Sequence, residues 1–259
     1  MLSNNQNILL LKRLTIISLL NTVLILFLYS FSYGDDKPLK YIPVVYRPKV
    51  EISLSYPTAL YFHKDDKDKG ILYVLDSGNR RTLIYKISFE IVEKELSAIF
   101  YEDSILRERD GLTAPVDIAV GKDGLLYVSQ QKTQEKEANI SIFNTLGGRD
   151  EIGLKEYHID IPGRLDVDKN GNIYLCKIAD PGIVIFNKEK KLIKEISPEI
   201  DDEVKPGEKT LVKVDVTNCH LDEKGNFYLI SKGYGKTFVY NHEYKLLKIF
   251  GEKVDLMVN

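Results

Sequence analysis

Five polar residues lie in three short, mostly apolar segments, at alternate positions that place their side chains on one face of a strand. They are Asp117, Arg164, Asp166, Asn218 and His220. A histidine beside a carboxylate can carry a proton or help to bind a cation. The set can equally be structural, with Arg164 between two carboxylates and adjacent strands joined by the resulting hydrogen bonds. The residue types favour the structural alternative, and the five remain the candidate ligand-binding residues.

Other catalytic chemistry has no local sequence support. The sequence contains no Ser-His-Asp order, glycine-rich phosphate loop, His-x-x-x-His or Cys-x-x-Cys. The remaining histidines, His63, His158 and His242, fall in a predicted loop, outer strand and turn, where we expect them to be solvated. We therefore predict no catalytic residue, no cofactor and no metal site.

The elements that position these residues follow from a repeat. Four segments begin with a turn glycine and continue into an aromatic strand: Gly70-Ile-Leu-Tyr73, Gly124-Leu-Leu-Tyr127, Gly171-Asn-Ile-Tyr174 and Gly225-Asn-Phe-Tyr228. The tyrosines are 54, 47 and 54 residues apart. An apolar strand precedes each glycine, and the hairpins before the last three are charged, so these glycines are expected to supply the positive φ of a tight turn.

Each repeat therefore predicts a strand, a tight turn, a second strand, a loop and two further strands. Four antiparallel strands repeating near 50 residues are typical of β-propeller blades. A sheet that is apolar on both faces must pack against its neighbours. The prediction is an all-β propeller with four-stranded antiparallel blades at approximately residues 57–110, 111–160, 161–214 and 215–259.

The pattern of a proline, a small apolar strand, an Asp-x-x-Gly turn, an aromatic strand and then Asp-x-x-Asn-x-x resembles the NHL-repeat family. The best match to the last element is Asp76-Ser-Gly-Asn79-Arg80-Arg81 in the first repeat, and the other three repeats lack its Asp and Asn. The resemblance implies a six-bladed ring around a channel, whereas four repeats can be counted. We therefore expect an incomplete six-bladed ring; unusually small closure and closure by association are the alternatives.

Propeller enzymes similar to gluconolactonases and amidating lyases hold a metal in the channel through carboxylate, Asn or His side chains. Directly after the proline position this sequence has Thr58, Val116, Gly163 and Thr217. None of these is a good ligand. A metal-dependent lyase or lactonase is therefore the alternative function, and Asp117, Asp166, Asn218 and His220 would have to supply its ligands.

The first 34 residues predict export. Lys12 and Arg13 precede an uncharged, largely apolar run at 14–31, and Asp35 and Asp36 follow it. This charge order is typical of a signal peptide or signal anchor, which would form a hydrophobic helix. We expect either cleavage before Asp35 or anchoring to the membrane by residues 14–33, with the rest periplasmic or extracellular. Residues 35–56 then form an N-terminal segment with one or two strands, at 41–46 and 51–54.

Charge and cysteine content limit the classes of partner and of scaffold that the sequence favours. The 259 residues contain 36 basic and 38 acidic side chains, a net charge of −2, which gives no electrostatic case for nucleic acid. Cys176 and Cys219 are too few for a disulfide scaffold, and we expect two buried thiols. The predicted function is a non-catalytic scaffold that binds a protein, peptide or glycan through loops such as 102–113, 132–139 and 201–209. Membrane contact is expected only through the N-terminal segment.

Overall fold

The structure is a computed structural model and describes residues 44–47, 53–66, 69–92, 95–106, 110–144, 148–205 and 208–251. The predicted N-terminal helix lies outside these residues. Within the described part of the chain, no helix is long and apolar enough to cross a membrane.

Nineteen strands are described, and only short 3-10 turns accompany them. Blade 1 contains β1 (Val44–Arg47), β2 (Pro57–Asp66), β3 (Lys69–Asp76), β4 (Arg81–Val92) and β5 (Glu95–Leu106). Its strand order is β1-β5-β4-β3-β2, and β1 pairs in parallel with β5, with Val44 opposite Ala98. The 3-10 turn Ser77–Asn79 connects β3 to β4.

Blades 2, 3 and 4 each have four antiparallel strands in sequential order. Blade 2 contains β6 (Pro115–Val120), β7 (Leu126–Gln130), β8 (Asn139–Phe143) and β9 (Arg149–Gly153). Blade 3 contains β10 (Pro162–Val167), β11 (Ile173–Lys177), β12 (Ile183–Phe186) and β13 (Leu192–Ile196). Between blades 3 and 4 lies a hairpin of β14 (Glu199–Lys205) and β15 (Glu208–Lys213). Blade 4 contains β16 (Asn218–Leu221), β17 (Phe227–Ser231), β18 (Lys236–Tyr240) and β19 (Leu246–Phe250).

The chain divides into two compact units. One comprises Met1–Ser55, Phe62–Leu72 and Ile84–Ser104, and the other comprises Tyr56–Tyr61, Tyr73–Leu83 and Ile105–Asn259. The second unit therefore holds blades 2, 3 and 4, together with the start of β2 and the turn between β3 and β4. All the residues of the site described below belong to this second unit.

The core of the second unit lies between successive blades. One cluster joins blades 2 and 3, with Tyr127 and Ile140 packed in the same group as Leu175 and Phe186. A second joins blades 3 and 4, where the rings of Tyr174 and Phe227 lie 5.2 Å apart, centroid to centroid. The predicted fold class, an all-β propeller with four antiparallel blades, is confirmed. The incomplete six-bladed ring stays a prediction.

Local predictions at the turns also hold. Gly124, Gly171 and Gly225 have φ of 77°, 83° and 83°, the left-handed backbone that the hairpin turns require. The predicted loop at 201–209 is wrong, because most of it is paired in β14 and β15, with Asp202 opposite Thr210 and Glu203 opposite Lys209. The loop predicted at 102–113 is likewise wrong at its start, since β5 continues to Leu106.

Cys176 and Cys219 are buried free thiols. The Cys219 thiol donates to the carbonyl oxygen of Tyr174 at 3.5 Å. The neighbouring Cys176 thiol and burial both raise the pKa of Cys219, so it is held protonated. These residues pack as small apolar groups between blades 3 and 4.

Candidate functional site

Asp117 and Arg164 form an ion pair between the first strands of blades 2 and 3. The Nη1 atom of Arg164 donates to Oδ1 of Asp117 at 2.7 Å, and the backbone N–H of Leu165 donates to Oδ2 at 2.9 Å. Burial raises the pKa of Asp117, and the attraction of Arg164 only partly opposes this effect. Both carboxylate oxygens are therefore used in joining β6 to β10.

Asp166 makes the corresponding connection from blade 3 to blade 4. Its Oδ2 accepts the backbone N–H of Leu221 at 2.8 Å, and Nδ1 of His220 lies 3.0 Å from the same oxygen. The hydrogen bond to Asp166 raises the pKa of His220, although the imidazole is 75% exposed.

In blade 1, the hydroxyl of Tyr61 donates to the carbonyl of Val120 at 3.0 Å. Burial and the charge of Asp166 raise the pKa of Tyr61 to about 12.

The structure thus brings four of the five predicted site residues together as two pairs, Asp117–Arg164 and Asp166–His220. Asn218 lies two residues before His220 on β16, opposite Ile230, and its side chain is exposed.

The donor set does not suit a metal ion. A cation approaching Asp117 would meet the Arg164 guanidinium, and Oδ2 of Asp166 already accepts the Leu221 N–H. Among the described residues, no group of three or more His, Cys, Asp or Glu side chains is placed to hold a metal.

A cavity of about 500 Å³ opens beside the Asp117–Arg164 pair and is lined from three blades. Blade 1 contributes Tyr56, directly before β2, and Ser77 and Arg80 from the turn after β3; blade 2 contributes Gln131 and its neighbours, and blade 3 contributes Arg164. Its volume lies within the range of small-molecule and side-chain binding pockets. It is therefore the candidate functional site.

The turn after β3 positions Arg80. The fully buried carboxylate of Asp76 accepts hydrogen bonds from Nδ2 of Asn79 and Nε of Arg81, each 2.7 Å from its Oδ2 atom. The backbone N–H of Arg80 donates to the carbonyl of Ser77 at 3.0 Å, which closes the 3-10 turn. The Asp-x-x-Asn-Arg-Arg motif therefore builds a rigid turn, and Arg80 and Ser77 are the residues of that turn that line the cavity.

The four serine and threonine hydroxyls of the lining already have acceptors within the protein. The four donor–acceptor pairs are Thr58 to the carbonyl of Val116 at 3.1 Å, Ser77 to that of Pro115 at 2.9 Å, Thr133 to that of Lys136 at 3.4 Å, and Thr113 to Oε1 of Gln130 at 3.4 Å. The hydroxyls of Thr58 and Ser77 also lie within hydrogen-bond distance of each other, and because the two groups carry two protons for three contacts, only two of these hydrogen bonds form at one time. Thr58 and Ser77 thus connect blade 1 to blade 2, whereas the hydroxyls of Thr113 and Thr133 bond within blade 2. Towards the cavity all four offer lone pairs rather than protons.

A buried polar residue stands three positions after the repeat tyrosine in every blade, at the end of the second strand. The four are Asp76, Gln130, Lys177 and Ser231. Each holds the adjoining loop: Gln130 accepts the backbone N–H of Thr113 at 2.7 Å, and Lys177 forms an ion pair with Asp180. The loops on this side of the blades are therefore anchored individually.

Two of the lining residues have left-handed backbone, Tyr56 at φ 53° and Arg80 at φ 49°. Such a conformation is unfavourable for a bulky residue and would suit glycine better. Tyr56 is 79% exposed, so burial of its ring does not offset the cost of this conformation.

Tyr56 and Arg80 were not predicted as site residues, whereas Arg164 was. Arg80 lies inside the motif that carries the NHL resemblance, and its unusual position in a turn was the available signal. Tyr56 directly precedes Pro57 at the start of β2, which no pattern in the sequence singled out.

The site belongs to a β-propeller, and comparisons with solved structures return propeller proteins at low identity. Virginiamycin B lyase from Staphylococcus aureus is 12% identical with a TM-score of 0.47, over 78% of this chain and 57% of that one. Regucalcin, a calcium-binding protein from Agrobacterium tumefaciens, is 10% identical with a TM-score of 0.45, over 82% and 80%. A gluconolactonase from Xanthomonas campestris is 12% identical with a TM-score of 0.45, over 77% of each chain.

The matched part of this chain spans little more than half of the length of the virginiamycin B lyase chain. No protein-family model and no curated protein sequence matches this chain. A propeller fold does not by itself assign an activity, so the function has to be argued from the site.

Proposed function

We propose that this protein is an exported, non-catalytic binding propeller that holds part of a protein, peptide or glycan in the cavity beside Arg164. The supporting observation is the cavity itself, which has walls from three blades and two arginines in its lining. Rigid sheets hold these walls, and binding residues on anchored loops are a common use of such scaffolds.

The inner-strand polar residues support binding rather than catalysis. Asp117 and Asp166, the carboxylates that a metal-dependent lyase or lactonase would need, are both engaged in joining blades. Metal analysis of the purified protein tests that alternative directly, since one equivalent of bound calcium or zinc would support the enzyme.

Binding is tested by screening the full chain against a glycan array and a displayed library of random peptides. The discriminating variant is Ala114→Trp, because Ala114 lines the cavity and an indole there would fill it. Glu223→Trp, in an exposed hairpin turn of blade 4, is the matched control. We expect ligands whose binding is lost in Ala114→Trp and retained in Glu223→Trp. Equal binding by both variants, or no ligand from either screen, contradicts the proposal.

Export is part of the proposal and has its own test. The charge order around residues 14–31 supports it. After expression with a C-terminal tag, we expect the protein outside the cytoplasmic compartment, either beginning at Asp35 or retained in the membrane fraction. A full-length chain in the cytoplasmic fraction would contradict export.

A further inference from the structure

We infer that Cys176 and Cys219 form a disulfide bond that joins blade 3 to blade 4 when the protein folds in an oxidising compartment. This inference rests on the export part of the proposed function, because thiols are kept reduced in the cytoplasm and are oxidised outside it. It does not depend on the cavity or on a ligand. The sequence contains two cysteines in all, so each has one possible partner within the molecule.

The two cysteines meet at the interface between the blades. Cys176 lies on β11, the second strand of blade 3, and Cys219 lies on β16, the first strand of blade 4. Both are buried, and both belong to the core cluster that fills the space between these blades. The two thiols are in hydrogen-bonding contact with each other. Their sulfur atoms are therefore neighbours in the folded protein.

The Cys219 side chain points into blade 3. Its Sγ atom lies 3.5 Å from the carbonyl oxygen of Tyr174 on β11 and 3.8 Å from that of Arg164 on β10. Tyr174 precedes Cys176 by two residues, and residues two apart in a strand point to the same face. The sulfur of Cys219 therefore lies against the part of β11 that carries the Cys176 thiol.

The backbones of the two blades converge at this point. Sheets that pack face to face usually lie ~10 Å apart, whereas a disulfide requires Cα atoms within ~7 Å of each other. Here β16 has Cα atoms within 8 Å of Cα atoms in both β10 and β11. The backbone N–H of Leu221 on β16 also donates to Asp166 of β10 at 2.8 Å, which holds the strands together. The separation of the strands is therefore close to that of a disulfide.

Oxidation of the pair needs an acceptor for two electrons. The oxidant is a small or protein disulfide of the exported compartment. The thiolate of one cysteine attacks it to give a mixed disulfide, and the second cysteine then displaces the oxidant's sulfur from that intermediate. One bond forms between the two Sγ atoms, the oxidant's own S–S bond breaks, and two protons and two electrons pass from the cysteines to the two thiols that the oxidant becomes.

Burial determines when this bond can form. In the folded, reduced protein the neighbouring thiol and burial raise the pKa of Cys219, so the attacking thiolate is scarce. Burial of both residues also excludes the oxidant. The reaction therefore belongs to folding, before blade 4 packs against blade 3. The same burial then protects the finished bond from reductants.

Refolding of the full chain from urea tests the chemistry, with a mild detergent present because of the apolar run at 14–31. One sample is refolded with oxidised and reduced glutathione and the other with dithiothreitol. Free thiols are then alkylated in urea and counted by mass spectrometry. We expect an unlinked monomer without free thiols from glutathione, and two free thiols from dithiothreitol. Two free thiols in both samples, glutathione left attached, or chains linked to each other would overturn the inference.

Thermal unfolding of the two refolded samples tests the structural effect. The bond joins positions 43 residues apart in the sequence and so constrains the unfolded chain. We expect the reduced sample to unfold at a temperature about 5–15 °C below that of the oxidised sample. The double variant Cys176→Ala/Cys219→Ala, treated in the same two ways and compared only with itself, should show no difference. Equal midpoints for oxidised and reduced wild type would overturn the inference.

Thiol labelling tests the timing. The folded, reduced sample is treated with an aromatic disulfide reagent under native conditions and in urea. We expect both thiols to be unreactive in the folded protein and both to react in urea. Fast reaction of the folded protein would overturn the assignment of the oxidation to folding.

The inference and the proposed function fail differently. Protein recovered outside the cytoplasm and alkylated at once should contain no free thiol. Exported protein with two free thiols overturns the disulfide and leaves export and binding standing. Protein found only in the cytoplasm contradicts export, whereas refolding with glutathione decides the disulfide without reference to location.

Discussion

Replacing Asp117 separates the role of its charge from that of its hydrogen bonds. In Asp117→Asn the amide oxygen can still accept the buried N–H of Leu165, whereas the pairing with the half-exposed Arg164 is weakened. A partly exposed ion pair contributes at most about 1 kcal/mol. Burial disfavours the charge and raises the pKa of Asp117, which offsets that loss. We therefore expect Asp117→Asn to change the free energy of unfolding by less than about 1 kcal/mol near neutral pH.

Asp117→Ala removes both acceptors. The Leu165 N–H is then buried without a partner, which costs about 1–3 kcal/mol. Asp123→Ala is the matched control, because Asp123 accepts the N–H of Leu125 at 3.0 Å in an exposed turn where water can replace it. We expect a loss of about 2–3 kcal/mol for Asp117→Ala and less than about 1 kcal/mol for the control.

Urea unfolding of the three variants and wild type, at about pH 4 and about pH 7, measures these differences. Since the pKa of Asp117 is raised on folding, its stabilising contribution is fully present below the unfolded pKa. It is lost as the pH rises through the folded pKa. The free energy of unfolding of Asp117→Asn, relative to that of wild type, should therefore be higher at about pH 7 than at about pH 4. Equal destabilisation by Asn and Ala at neutral pH would refute the reasoning, because the charge would then dominate.

Three further experiments test other parts of the structure. Tyr174→Ala should cost about 3–5 kcal/mol in urea unfolding through the cavity left between blades 3 and 4, and the partly exposed Tyr228→Ala clearly less; similar losses would contradict the packing. In an NMR titration, the pKa of His220 should lie above its ordinary value of about 6.5 and fall in Asp166→Asn. The small stabilisation from the His220–Asp166 pair should be fully present below about pH 6.5 and lost as the pH rises above the raised pKa of His220. A His220 pKa unchanged by Asp166→Asn would contradict the pairing. Tyr56→Gly should leave the unfolding free energy unchanged or raise it by up to about 1 kcal/mol, because it relieves left-handed strain; a loss above about 1 kcal/mol would indicate a structural role.

Much of the fold could be predicted from the sequence because its signals are local and repeated. The turn glycines, the alternating strands and the repeat tyrosines each depend on a few neighbouring residues, and they recur in every blade. The hairpin of β14 and β15 was not predicted, since its strands are rich in charged residues and occur once. The parallel pairing of β1 with β5 joins residues about 50 apart and has no counterpart in the other blades.

The candidate site was only partly predictable. Alternation along the strands identified Asp117, Arg164, Asp166 and His220 as polar residues on one face, and the structure pairs them. Which of them lie at a cavity depends on how three blades are placed, and this is not encoded by spacing within one segment. Tyr56 and Arg80 join Arg164 at the cavity because of backbone turns. The Asp-x-x-Asn motif marks the turn of Arg80, whereas nothing in the sequence marks the left-handed backbone at Tyr56.

The four buried polar anchors at the ends of the second strands give this molecule a modular character. Each anchor is satisfied inside its own blade or by the segment entering it, as Ser231 is by Asp215 at 2.6 Å. Exchange of a loop is therefore local only where the loop makes no other contact. The loop at 131–138 also contacts the segment that leads to blade 3, because the backbone N–H of Lys132 donates to the carbonyl of Asp160 at 3.0 Å. A replacement for this loop has to keep that hydrogen bond if the binding surface of one blade is to change without the next.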